Sequence, residues 1–233
     1  MTTAIGGKIQ QQSREVAADS TYGVVSQLRD GPLVTADIIH QWVREGRVFQ
    51  THNPTIGTAL TGSAAAAGGH VLTAPSIRFT VPVSTVVVPL RFKASFSAMA
   101  GTPNEMAIVA SETDSYTSGG TSVTLTAYSA FVSNGSGSPR SSAVTNLRSG
   151  SGSALVEAAL TNPRVLDINY AARADAVSEP KAEWEAQLAR NGNFYYVQGP
   201  AVILVYLSAV TTALTYEFVM EWAELDKNVL VNS

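Results

Sequence analysis

The chain contains no cysteine, which removes disulfide frameworks, thiolate nucleophiles and cysteine-based metal sites together. It is also poor in charge: 14% of its 233 residues are Asp, Glu, Lys or Arg, against about 25% in an average globular protein. Long amphipathic helices normally cover their outer face with Lys and Glu. Their scarcity favours short strands and tight turns, with a surface of hydroxyls and backbone. It also favours burial of surface against other subunits. The net charge of −3 comes without any run of Lys or Arg, so the electrostatic footprint of a nucleic-acid binder is missing. No stretch approaches the roughly 20 apolar residues of a membrane-spanning helix. The start, Met1 to Lys8, lacks the basic-then-apolar layout of a signal peptide. The expectation is a soluble chain made in a cytoplasm, with neither nucleic acid nor membrane as partner.

Carboxylates are absent from the whole stretch between Glu45 and Glu105, which carries Arg47, Arg78, Arg91 and Lys93. Two readings follow, four solvated cations or a mildly basic face that meets an acidic neighbour. Recognisable chemistry is missing as well. His40, His52 and His70 show no spacing that places two ring nitrogens on one metal. No Gly-x-Ser-x-Gly elbow or phosphate-cradling GxxxxGK[ST] loop occurs. Glu112 and Asp114 sit near each other without the register of a calcium loop. Glycoside hydrolysis needs two acids facing each other at roughly 5 to 10 Å. Glu217 and Glu221, on one strand, lie about 13 Å apart along the chain, and Glu105 is the remaining acid to test beside them. The expectation is no catalytic residue, no metal site and no cofactor. Phe194, Tyr195, Tyr196 and Tyr206 leave a second option open, stacking on sugar rings, against the ordinary role of aromatics in sheet packing.

What is present is a series of strand patterns. Tyr216, Phe218, Met220 and Trp222 alternate with Glu217, Val219 and Glu221, the period of two of a sheet with one buried face. With the apolar run Ala201 to Leu207 this reads as a closing pair of strands at the C-terminus. Ile77 to Val83 and Leu90 to Phe96 alternate in the same way, with Pro82 and Pro89 marking an edge, bulge or strand end. Further strands are predicted at 105–111, 121–132, 154–160, 164–170 and 193–198. Ile38, Ile39, Trp42 and Val43 form a helical stripe stopped by Gly46, with Trp42 plugging the sandwich or docking on a neighbour. A second helix is predicted over 179–190, from Pro180 in its first turn and the four-residue spacing of Trp184 and Leu188. The segment 49–69 reads as loop, with a turn at Asn53-Pro54, and the Gly/Ser tract 133–153 as a long hairpin tip or surface loop. The fold expected is all-β, an antiparallel jelly-roll β-sandwich of about eight strands with an N-terminal arm and one or two short helices. Residues 1–69 would form arm, short helix and linker, and 70–233 the sandwich.

The segments Thr73 to Pro82, Val86 to Phe92 and Gly199 to Leu225 together resemble the small jelly-roll virion proteins of tailed bacteriophages. The resemblance covers about residues 70–225 and rests on structural patterns. It implies a non-enzymatic virion protein, first of all a capsid decoration or cement protein, with a baseplate, tail or fibre-attachment jelly roll as the alternative beside a lectin-like carbohydrate-binding module. It further implies a homotrimer, the N-terminal arm gripping the major capsid protein, no cofactor, and localisation to the virion.

Overall fold

A computed structural model describes residues 38–64, 70–98, 104–123, 125–127, 141–150, 154–171, 183–189, 194–209 and 215–227. The elements are helix α1 (Ile38–Arg44) and strands β1 (Val48–His52), β2 (Leu60–Thr61), β3 (Ser63–Ala64), β4 (Ile77–Val81), β5 (Thr85–Ala98) and β6 (Asn104–Ser111). There follow β7 (Tyr116–Ser118), β8 (Thr121–Ser122), β9 (Leu125–Ala127), β10 (Thr145–Ser149), β11 (Val156–Glu157) and β12 (Arg164–Ala171). The chain closes with β13 (Glu183–Gln187), β14 (Val197–Gln198), β15 (Ala201–Ala209) and β16 (Thr215–Asp226).

The strands form an antiparallel sandwich. One sheet has the order β13-β5-β16-β1-β9 and the other β12-β6-β15-β4-β10-β8, while β7 and β11 make a separate ribbon. A short parallel pairing of β3 with β15 is the exception to the antiparallel rule. The inner faces meet in an aromatic core. Trp222 stacks on Phe79 at 5.2 Å and on Phe49 at 6.4 Å, and Phe92 packs on Trp184 at 5.1 Å. Tyr216, Phe218, Met220 and Trp222 are all buried in it, as their alternation predicts. Removing one such ring would cost about 3 to 5 kcal/mol.

The closing pair is corrected. Strand β15 lies between β6 and β4, whereas β16 lies between β5 and β1 in the opposite sheet. The two run in different layers and face each other across the core. The apolar run of β15 is buried on both sides: Ile203 and Val205 enter the core, and Val202, Leu204 and Tyr206 join a cluster on the outer face. A strand covered on both faces loses its alternation.

Four other expectations change. Residues 183–187 form an edge strand paired with β5, in place of the helix predicted over 179–190; the rest of that prediction lies largely outside the described residues. Trp184, Ala186 and Leu188 are buried while Glu183, Glu185 and Gln187 are exposed, a period of two that the Trp184/Leu188 spacing satisfies as well as it satisfies a helix. Part of the predicted loop 49–69 is β1, central in its sheet between β16 and β9. The Asn53 turn holds: its side chain accepts from Phe218 N at 2.8 Å and donates to Thr58 O at 2.9 Å. The predicted strand 121–132 divides, β8 joining one sheet and β9 the other. The Gly/Ser tract contains β10, paired with β4 and β8.

Helix α1 lies over the outer face of the first sheet, where Trp42 packs with Val48, Val86, Val88, Ala223 and Leu225. Trp42 covers a sheet face within its own chain instead of plugging the sandwich. Pro82 directly follows β4, and Pro89 stands at a bulge in β5, where the register with β16 shifts between Glu221 and Trp222. A central strand tolerates proline at such a break. The arm, residues 1–34, falls within the segment 1–37 that lies outside the described residues.

Candidate functional site

Strand β12 is inside out, and that inversion creates the candidate site. Cross-strand partners share a face, so the register of β12 on β6 assigns its sides. Asp167 pairs with Ile108 and Asn169 with Met106, both core residues; Val165 pairs with Val109 and Ile168 with Ala107, both in the outer-face cluster. A carboxylate and an amide thus occupy core-facing positions, while Val165 and Ile168 stand 57% and 66% exposed on the outside. The register shifts between Val165 and Asp167. One extra residue, Leu166, turns the remainder of the strand over.

Opposite β12 lies the other edge strand, β13, and between them the sandwich opens into a groove of about 570 Å³. Leu166, Asp167, Asn169, Trp184, Gln187 and Tyr195 are among its lining residues. Phe194 is held by Trp42 at 5.5 Å and by Tyr196 at 6.4 Å. The residue between these two anchors, Tyr195, is 46% exposed and borders the groove. No Lys, Arg or His is among its described lining residues.

A second cluster of charge is structural. Arg78, fully buried on β4, meets Asp114 and Glu157, with its Nε 2.6 Å from Glu157 Oε1. Asp114 also accepts from Thr80 Oγ1 at 2.8 Å and from Tyr116 N at 3.2 Å, and Glu157 from Ser115 Oγ at 2.8 Å. Arg78 and Arg148 both lie over the Tyr116 ring, 4.6 and 5.2 Å from its centre. Burial pushes the Glu157 carboxyl up, and the Arg78 charge offsets only part of that. Burial also raises Asp114, but its bond from Thr80 and the Arg78 charge outweigh it and hold the carboxyl below its ordinary range. The network fastens the β7–β11 ribbon to the outer face of the second sheet. At the adjoining turn, Gly119 has a φ of 85° and backs onto the Ala154 carbonyl, so a side chain there meets backbone.

The four cations of the carboxylate-poor stretch are therefore all paired with acids, and of the four only Arg78 is shut off from solvent. Arg47 pairs with Glu45 at 2.6 Å, Arg91 with Glu185 at 3.0 Å and Glu221 at 3.7 Å, and Lys93 with Glu183 at 3.1 Å. Three of them draw their acids from distant strands.

The acids considered for hydrolysis are not assembled into a cleft. Glu217 and Glu221 lie on β16, opposite Ser95 and Arg91, and Glu105 is on β6 in the other sheet, its side chain outside the described ones. Burial raises the Glu221 carboxyl, with Arg91 countering and Glu185 adding to it. Glu112 accepts from Asn162 Nδ2 at 2.8 Å and lies 3.9 Å from Arg164. His52 Nδ1 lies 2.6 Å from the Asn53 carbonyl, His70 packs beside Tyr206 at 5.3 Å, and the His40 side chain is outside the described ones. Among the described residues no group of three acids or histidines is placed to hold a metal. No helix among them is long and apolar enough to cross a membrane.

Tyr206 is corrected as a sugar platform: it is 1% exposed and donates to the Leu72 carbonyl at 2.7 Å. Burial drives its hydroxyl well above the usual tyrosine range. Tyr195 and Tyr196 are exposed. Sequence reasoning missed Asp167, Asn169 and Glu224. Buried Glu224 accepts from Trp222 Nε1 at 3.0 Å, from Ala143 N at 2.7 Å and from the Ser142 hydroxyl. Polar residues in a strand flanked by Val165 and Ile168 were the available signal for the first two. In comparisons with known proteins, no family model matches the chain, and no curated protein does so.

Proposed function

We propose that this chain is a non-enzymatic structural protein of a tailed-phage particle, acting as a capsid decoration protein that assembles as a homotrimer on the major capsid protein. The observation that carries the reading is the strand order. The principal strands β1-β16-β5-β13 oppose β4-β15-β6-β12, and along the chain they change sheet at every step except between β6 and β12. We read this as the order of an eight-strand jelly roll, an architecture that viral capsid domains use. Two further features support it. Arg78, Arg91 and Lys93 of the described sheets are engaged in ion pairs within the chain, so these cations do not form an unpaired basic face for nucleic acid. Apolar Val165 and Ile168 stand on the outer face of an edge strand, as a surface packed on neighbouring subunits would have them.

In this reading residues 1–34 attach the sandwich to the shell in the virion. Light scattering on the purified chain at micromolar concentration should give the mass of three copies, and the chain should co-sediment with shells assembled from the major capsid protein of the same particle. Deleting residues 1–34 should leave the fold intact and abolish co-sedimentation. A clean monomer that does not sediment with shells overturns the proposal. A trimer that sediments with tail or baseplate assemblies instead moves the protein to that position.

A further inference from the structure

We infer that the groove between the β12 and β13 edges is a binding site for a neutral saccharide. The inference is independent of where the protein sits in a particle. Its first support is the inversion of β12. An edge strand of a sandwich gains stability by turning its apolar side to the core, and here Asp167 and Asn169 take those positions while Val165 and Ile168 are left in solvent. Sequences break the burial rule in this way where a site requires it.

The second support is the chemistry of the lining. A sugar ring presents a ring of hydroxyls and an apolar C–H face, so it is held by carboxylates and amides in its plane and by an aromatic ring on its face. Asp167 supplies two acceptors and Asn169 supplies both donors and acceptors. Tyr195 supplies the aromatic face, half-exposed and presented between the anchored Phe194 and Tyr196. A buried wall of Trp184 and Leu188 closes the apolar side. The volume of about 570 Å³ falls within the range of small-ligand sites, roughly 300 to 1,000 Å³. Asp167, with no Lys, Arg or His among the described lining residues, repels phosphate, sulfate and uronate groups. The ligand class is therefore an uncharged mono- or disaccharide unit, free or at the end of a glycan.

The test is a glycan array probed with the full chain, followed by titration of the best neutral sugar under NMR. Saturable binding is expected, with amide shifts concentrated at 166–169, 184–188 and 194–195. Tyr195→Ala and Asp167→Asn should each weaken it about tenfold or more, Tyr195→Phe should retain most of it, and a chelator should change nothing. Tyr195 is exposed, so its variants keep the fold, and thermal melts of each protein verify that. Three results overturn the inference: no saturable binding of any neutral sugar up to about 10 mM, shifts that map away from the groove, or an affinity unaltered by Tyr195→Ala and Asp167→Asn. Binding confined to acidic glycans overturns it equally. Failure of the trimer or shell experiment leaves it untouched, and failure here leaves the particle proposal untouched.

Discussion

Arg78 and Arg91 each face two carboxylates, from opposite sheets and under opposite conditions. Arg78 has no exposed surface, and its partners Asp114 and Glu157 belong to the covering ribbon and the turn that leads into it. The Arg91 side chain is 40% exposed, and its partners Glu185 and Glu221 sit on the strands to either side of its own. The same three charges do different things. On the first sheet they run across strands that backbone hydrogen bonds already hold together, in water that screens them. On the second they join a ribbon to a sheet that it does not otherwise pair with, and fully buried Glu157 has no solvent to take over when Arg78 leaves. Location, not ion-pair number, decides what such a triad contributes.

The contrast is sharpest under truncation. Arg78→Ala should cost about 3 to 5 kcal/mol, because Glu157 would stay buried without its cation; urea denaturation measures it. A loss below about 1 kcal/mol would show that the ribbon lifts off and lets water in, erasing the difference between the two sites.

Titration gives a smaller effect with opposite signs inside one triad. The Asp114 pKa is lowered from 3.8, so folding favours its ionised form, and that stability is present at higher pH and lost as pH falls through the folded value. The Glu157 pKa is raised from 4.5, so folding favours its protonated form, and that contribution is lost as pH rises above 4.5. Measured against Asp114→Asn, the wild type should therefore lose ground toward low pH. Against Glu157→Gln it should lose ground as pH climbs from 4.5. Parallel stability profiles for the wild type and both variants would contradict the assigned environments. The smallest effect belongs to Arg91→Ala, expected to cost at most about 1 kcal/mol and to shrink further in high salt; a larger cost, unaffected by salt, would mean that the exposed triad is also structural.

Sequence patterns were sufficient where a strand has one wet face. The alternation of β16, the bulge at Pro89 and the stripe of α1 were legible because each is decided by neighbours a few residues away. They were insufficient where a distant segment covers the second face. Arg78 reads as a solvated cation until Asp114 and Glu157 are brought to it, and Tyr206 reads as a surface ring until the Leu72 carbonyl and His70 cover it. The edge strand β13 was misread because Ala186, its decisive buried residue, is a strong helix former and uncommon in strands. The groove was half legible: Tyr195 could be singled out, but Asp167 and Asn169 gained meaning only from a bulge that pairing with β6 defines.

The position of β15 and β16 in the two sheets has a consequence for how the chain acquires its structure. They are the last strands in order, yet each is an inner strand, β15 between β4 and β6 and β16 between β1 and β5. During synthesis both sheets therefore remain split in halves until these two segments emerge. Pairings such as Phe49 with Trp222 then close over most of the chain at once. Such long-range closure makes folding slow and leaves unpaired strand edges waiting in the nascent protein.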